Sequence, residues 1–416
     1  MESIITYYND CFSCDFRVNI IYESPDRPDS MKVLVGMSGG VDSSVAALLL
    51  KKQGYEVEGV SLLMFETRLH HKNKKTLNDP RSCCSLESVK DAARTAETIG
   101  IPHRLLDARD IFIEKVIEPF ALAYSKGRTP NPCILCNRHV KIPVLFEAAL
   151  KEGADFIATG HYARLQETPE GPLLSRGVDA RKDQSYVLYA QRKEELQRLL
   201  LPLGGFKKEE VRRMAGTSGL PVFDRPESQE ICFIEGRDYP AMIKELCPAA
   251  LARGPILDET GRKIGAHEGI CRYTIGQRKG LGGRRDSHDP KPLYVYRIEA
   301  AGNIIYAGGK EKAFASEFEV GGLNWLIDGW DRLESFRAGV KVRSMMPPAQ
   351  ATVFVSGFPD GARVVFESPQ WAAAPGQSAV FYDGDAVIGG GIILEKDFSG
   401  KGSKKTVTEV QRIKDA

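Results

Sequence analysis

The chain is short of cysteine, of net charge and of long apolar runs, and each shortage excludes a class. Nine cysteines in 416 residues are too few for a disulfide scaffold. In a reducing compartment clustered thiols serve catalysis or metal binding instead, so their spacing matters more than their number. A formal net charge of +2 offers no general attraction to nucleic acid, and such a partner would have to be met by local basic patches. No stretch approaches the roughly 18 consecutive apolar residues of a membrane span, the longest candidates being pieces such as 45–50 and 60–65; a membrane is not an expected partner. The first residues lack the cationic region and apolar core of a secretion signal, which makes the cytoplasm the expected location. What is present, 42% hydrophobic and 27% charged residues, describes ordinary globular domains, two or three at this length.

Residues 1–30 read as a polar, irregular extension in which Cys11 and Cys14 are incidental thiols. Over 31–206, strand patterns at 32–37, 56–65, 103–106 and 156–159 alternate with helical patterns at 43–53, 85–99, 111–126 and 139–151. Alternation of this kind predicts an α/β fold with a parallel sheet covered on both faces. The texture changes after 207, and 207–285 reads as a small central unit. Glycine-punctuated β segments at 293–298, 304–306, 341–343, 351–355, 363–366, 379–382 and 387–393 predict a small β-barrel over 286–416.

The most informative segment runs from Val33 to Ser44. A buried strand enters a Ser38-Gly39-Gly40 turn that opens onto a helix, so backbone N–H groups converge at the positive helix end and form an anion site. Gly39 and Gly40 allow a close approach that a Cβ would forbid, and Ser38, Ser43 and Ser44 can add hydroxyl donors. Asp42 would repel a phosphate unless a cation stood between them, which implies Mg²⁺. Neither a Walker loop nor a dinucleotide fingerprint is present. Gly160 and His161 follow a strand end and suit the crevice at the carboxyl edge of the sheet.

Thiols cluster in a second segment, Thr129 to Asn137, where Cys133 and Cys136 occupy a proline-stiffened loop just before a helix. A helix start favours the thiolate. Cys232 lies far along the chain, Cys83 and Cys84 precede a helix start and read as structural, and Cys247 and Cys271 have no neighbours that argue for chemistry.

Ser38-Gly39-Gly40-Val41-Asp42-Ser43 resembles the PP-loop of the ATP pyrophosphatase superfamily, whose members cleave ATP to AMP and pyrophosphate and adenylate a substrate oxygen. In order along the chain follow Pro130-Asn131-Pro132 with Cys136-Asn137, Ala158 to Arg164, Lys182 to Tyr186, Ile231 to Ile234, Tyr273 to Leu281 and Ala374 to Gln377. That series is similar to tRNA-specific 2-thiouridylases, and the likeness spans 31 to about 394. The resemblance implies a PP-loop domain, a central domain that contacts tRNA and a C-terminal β-barrel. It implies ATP at Gly36, Met37, Ser38, Gly39, Gly40, Val41, Asp42, Ser43, Leu62 and Gly160. It implies tRNA contacts at Asn131, Pro132, Cys133, His161, Lys182, Asp183, Gln184, Arg343 and Gln377. Cys136 matches the family nucleophile and Cys232 the persulfide carrier, a pair joined by a disulfide during turnover.

The chemistry is consistent with these residues. A uracil carbonyl oxygen is a poor leaving group, transfer of AMP makes it a good one, and a persulfide can then attack carbon 2 of a base flipped from its stack. Many family members carry aspartate at the position of Cys133, so Cys133, Cys136 and Cys232 could instead hold a four-iron four-sulfur cluster. A relay protein or free sulfide would supply the sulfur. Basic residues at 68–75 and 272–285 suit phosphate contacts, with the glycines of Gly276 to Gly280 expected where the backbone meets another chain. Two alternatives stand beside this reading: another PP-loop adenylating enzyme, and a non-catalytic metal-binding RNA module.

Overall fold

The computed structural model describes residues 31–64, 86–226, 231–234, 239–281, 292–356 and 361–395. The extension with Cys11 and Cys14, the basic residues 68–75, the Cys83 and Cys84 pair, Arg284, Arg285 and 401–405 lie outside the described residues.

Five parallel strands form the first sheet: β1 (Lys32–Gly36), β2 (Glu56–Leu63), β3 (His103–Asp107), β4 (Phe156–Ala158) and β7 (Leu199–Leu200), in the order β3-β2-β1-β4-β7. Side chains alternate between faces along a strand. Leu34 accordingly enters one core with Phe112, Phe120 and Leu145, while Val33 and Val35 enter another with Val45 and Val211. All three β1 residues are 0% exposed, as a parallel sheet covered on both faces requires. Helix α1 (Val41–Lys52) follows β1, and α2 (Leu86–Ile99) packs beside it. The strand order reverses direction at β1 and β4, which opens a crevice at their carboxyl ends.

Two differences from the sequence reading concern β strands. The hairpin β5 (Ala163–Thr168) and β6 (Gly171–Arg176) leaves the first sheet and pairs with β17 (Ala386–Ile393) through Ser175 and Ala386. The strands β10 (Tyr294–Glu299) and β11 (Ile304–Gly308), read above with the later strands, pair instead with β8 (Gly254–Leu257) and β9 (Lys263–His267) in a separate four-stranded sheet. Their own apolar residues, Val295, Ile298, Ile305 and Ala307, fill a core with Ile256 and Tyr273, and partners so distant in sequence leave no periodic mark.

The C-terminal unit is a closed antiparallel barrel of β12 (Phe314–Trp325), β15 (Gly361–Trp371), β14 (Ala349–Ser356), β13 (Ser335–Lys341), β16 (Ser378–Asp383) and β17, sealed by pairing of β12 with β17. Closure removes the free edges of the sheet. Gly276 and Gly280 have φ of +85° and +84°, and a Cβ on Gly276 would stand 2.6 Å from that of Ala372. The close approach expected there is to the chain's own barrel strand end.

Candidate active site

β1 delivers the backbone into the Ser38 to Gly40 turn, where Ser38 N–H donates to Ser43 Oγ at 3.1 Å and Ser44 Oγ donates to the Gly40 carbonyl at 2.8 Å. Gly39 takes φ +70°, and a Cβ on it would lie 2.1 Å from the Ser88 carbonyl of α2. Gly160, leaving β4, passes so close to the start of α1 that a Cβ would meet Ser43 N at 2.7 Å. Both glycines are therefore dictated by contact. Arg225 fixes the turn from outside, donating to the Gly39 carbonyl and to Asp91 of α2, each at 2.6 Å.

A cavity of about 180 Å³ opens over this turn. Of the residues expected to hold ATP, Gly36, Met37, Ser38, Asp42, Ser43, Leu62 and Gly160 line it, while Gly39 and Gly40 shape the turn and Val41 is buried in the α1 core. The oxygen donors and glycine cradle fit a nucleoside triphosphate. Asp42 differs from expectation: Lys208 Nζ lies 2.6 and 2.8 Å from its two carboxylate oxygens, and Tyr162 donates its hydroxyl to it at 2.7 Å. The carboxylate read as the partner of Mg²⁺ is held by these protein groups.

His161 and Gln184 also line the cavity. His161 is buried, its Nδ1 pairs with Thr159 Oγ1 at 2.8 Å, and burial, then the Lys141 charge, push its pKa down to about 3. It is a neutral ring at physiological pH. Gln184 and Tyr162 clasp each other, Gln184 N–H donating to the Tyr162 carbonyl at 2.8 Å and Tyr162 N–H to Gln184 Oε1 at 2.9 Å.

The thiol segment is helical, not a loop. Asn131 Oδ1 accepts from the N–H groups of Cys133 at 3.1 Å and Ile134 at 3.4 Å, and Pro132 occupies the first turn. Asparagine at the N-cap with proline after it is a helix start, so the helix begins seven residues earlier than the apolar pattern at 139–151 suggested. It runs from Pro132–Cys136 through a π-helical turn, Asn137–Lys141, into Ile142–Glu152. Its leading loop is pinned from two sides: Thr129 N–H donates to the Pro375 carbonyl at 2.8 Å, Gln377 Nε2 donates to the Thr129 carbonyl at 2.9 Å, and Thr129 and Thr274 hydroxyls meet at 2.5 Å.

Cys133 is exposed and Cys136 is buried, with its Sγ 3.7 Å from the thioether sulfur of Met64, which itself lines the cavity over the Ser38 to Gly40 turn. Cys232 is half-buried against the same core as Cys136, its segment anchored by Phe233 in edge contact with Phe112 and Phe120. None of the three is joined in a disulfide. Among the described residues no three histidine, cysteine or acidic side chains converge on a single metal ion position.

Other residues expected at tRNA have partners within the protein. Asp183 is buried, accepting from Gly177 and Ser185 N–H at 3.2 and 3.0 Å and from Lys341 Nζ of β13 at 3.1 Å. Arg343 donates to the carbonyls of Ala372 and Ile275 at 3.2 and 3.0 Å. Lys182 is half-buried beside Asp183. Sequence reasoning missed Met64, Lys141, Tyr162, Lys208 and Arg225, because nothing local signals a residue whose partner lies far along the chain.

The chain matches the families described as tRNA methyl transferase HUP domain over residues 31–236, tRNA methyl transferase PRC-barrel domain over 241–309 and aminomethyltransferase beta-barrel domain over 315–393. The tRNA-specific 2-thiouridylase MnmA of Symbiobacterium thermophilum is 43% identical, over 89% of this chain and 94% of that one. MnmA 1 of Caldanaerobacter subterraneus subsp. tengcongensis is 45% identical over 88% and 98%, and MnmA of Zymomonas mobilis 41% over 92% and 97%. With identity of 41–45% over 88–92% of its length, the chain belongs to the tRNA-specific 2-thiouridylase family.

Proposed function

We propose that the protein replaces the carbon-2 oxygen of the wobble uridine of tRNA by sulfur, converting ATP to AMP and pyrophosphate. One observation carries this reading: a single residue, Met64, lines the nucleotide cavity and touches the Cys136 thiol, so activation of a base and its attack by sulfur have adjoining places.

ATP binds over the Ser38 to Ser43 turn as its magnesium complex, the metal supplying charge neutralisation of the phosphates. The flipped uracil presents its carbon-2 oxygen to the α-phosphate, pyrophosphate leaves, and the base, having lost its N3 proton to solvent, is held as an adenylate. A persulfide on Cys232 attacks carbon 2 and AMP departs with the original oxygen. Cys136 attacks the Cys232 sulfur, closing a disulfide and releasing 2-thiouridine, which regains a proton at N3. Sulfide attacking that disulfide, or a relay protein bearing a persulfide with an external thiol reductant, restores the persulfide. Lys182, Gln184, Arg343 and Gln377 belong to the tRNA-facing set in this reading, with Asn131, Pro132, Cys133 and His161 at the target base, and Asp183 holds that set in place. The site of action is the cytoplasm; among the described residues no helix is long and apolar enough to cross a membrane.

The test is incubation with unmodified tRNA, ATP, Mg²⁺ and sulfide, followed by nucleoside mass spectrometry and pyrophosphate measurement. Equal amounts of 2-thiouridine and pyrophosphate are expected, and a tRNA that gains no sulfur while pyrophosphate is released would refute the reading.

A further inference from the structure

Lys208 is paired with Asp42, and His161 is neutral because burial and the Lys141 charge hold its ring unprotonated. A second cation, Lys141, lines the same cavity as Ser38, Ser43 and Gly160. Its position is produced by an irregularity in the helix. In regular α-helix a residue five positions on lies about 140° around the axis from its predecessor. The turn Asn137–Lys141 is instead π-helical, closed by Ile142 N–H on the Asn137 carbonyl, and the additional residue in that turn brings position 141 back toward the face of position 136. One helix therefore carries the thiol that meets Met64 and the lysine that lines the cavity, one turn apart.

Resting on the function proposed above, we infer that Lys141 is a catalytic residue of the adenylation step, its ammonium contacting the α-phosphate oxygens. As the uracil oxygen bonds to the α-phosphorus and the bond to the bridging oxygen breaks, negative charge gathers on those oxygens and on the departing pyrophosphate. A fixed cation in a half-enclosed site stabilises that charge more than it stabilises bound ATP. The π turn is then the device that places one helix at both half-reactions.

Two measurements on the full chain test this. In single-turnover pyrophosphate release with tRNA, Lys141→Met is expected to slow the chemical step by at least about 100-fold, the cost of losing one transition-state donor. ATP and tRNA dissociation constants stay within about threefold and Lys141→Arg recovers part of the rate, the pattern of an interaction made in the transition state. A rate within about fivefold of wild type, or a loss carried wholly by weaker ATP or tRNA binding, would overturn the assignment. The second readout needs no turnover: in phosphorus NMR of bound α,β-methylene-ATP, Lys141→Met should shift the α resonance and leave the γ resonance in place. An unmoved α resonance refutes the contact, whereas a wild-type protein that shows the shift but releases no pyrophosphate refutes the proposed function alone.

Discussion

Lys208 Nζ sits 2.6 Å from a carboxylate oxygen of Asp42, although 166 residues separate the two in sequence. The pair neutralises an acid that lines the cavity over the Ser38 to Gly40 turn, and Tyr162 donates its hydroxyl to the same carboxylate oxygen at 2.7 Å. Lys208→Met leaves an uncompensated negative charge facing the triphosphate. ATP affinity should fall about tenfold or more, about 1.4 kcal/mol, and Asp42→Asn in the same chain should recover much of it. Calorimetric titration with ATP checks this; equal affinities in Lys208→Met and wild type would show that the pair has no part in phosphate binding.

Met64 covers the Cys136 thiol, which is 8% exposed. Methionine is flexible and can move aside as a base enters. Met64→Ala should let iodoacetamide alkylate Cys136 about tenfold faster by opening a void at the sulfur, while alkylation of exposed Cys133 stays unchanged. Peptide mass spectrometry of partly alkylated protein reads both rates.

The barrel reaches the nucleotide unit through Lys341 and Asp183, whose side chains are 5% and 1% exposed. Removing one partner of a buried pair costs about 3–5 kcal/mol, and removing both costs far less. Lys341→Met should therefore destabilise strongly in urea, with the Lys341→Met, Asp183→Asn double variant markedly more stable than the single one. A double variant as unstable as the single would mean the charges do not act as a pair.

His161, held to about 3 against 6.5 for a free ring, makes the unfolded chain bind more protons between those values. Its contribution is thus intact above about pH 6.5 and lost as pH falls, by up to about 1.4 kcal/mol per pH unit. Urea midpoints at pH 7.5 and 5.5 should show wild type losing more stability than His161→Gln; identical losses would contradict a buried neutral ring.

What was legible in the sequence was local. The Ser38 to Ser43 turn encodes its own geometry, since glycines and hydroxyls at fixed spacing have one physical use after a buried strand. The alternation that predicts the first sheet is likewise written residue by residue. The helix start at Pro132 was written too, in Asn131 and Pro132, but the apolar pattern at 139–151 masked it because a π turn shifts the periodicity between Cys136 and Ile142. Pairings between remote segments were not legible: Lys208 with Asp42, Lys341 with Asp183, and β10 and β11 with β8 and β9.

In the proposed mechanism sulfur passes from Cys232 to the base and Cys136 releases it. Cys136→Ser supplied with persulfide, ATP and tRNA in a single turnover should stop with the tRNA joined to Cys232 through a disulfide, which dithiothreitol then cleaves to give tRNA containing 2-thiouridine. Cys232→Ser should form no adduct, and Cys133→Ala, which removes an exposed thiol and keeps both thiols of the relay, should still make 2-thiouridine, with any loss confined to tRNA affinity. Mass spectrometry of the Cys136→Ser protein before and after the reductant decides it: a reductant-sensitive tRNA adduct on Cys232 is the predicted result, and free 2-thiouridine made at the wild-type rate without an adduct would contradict the account.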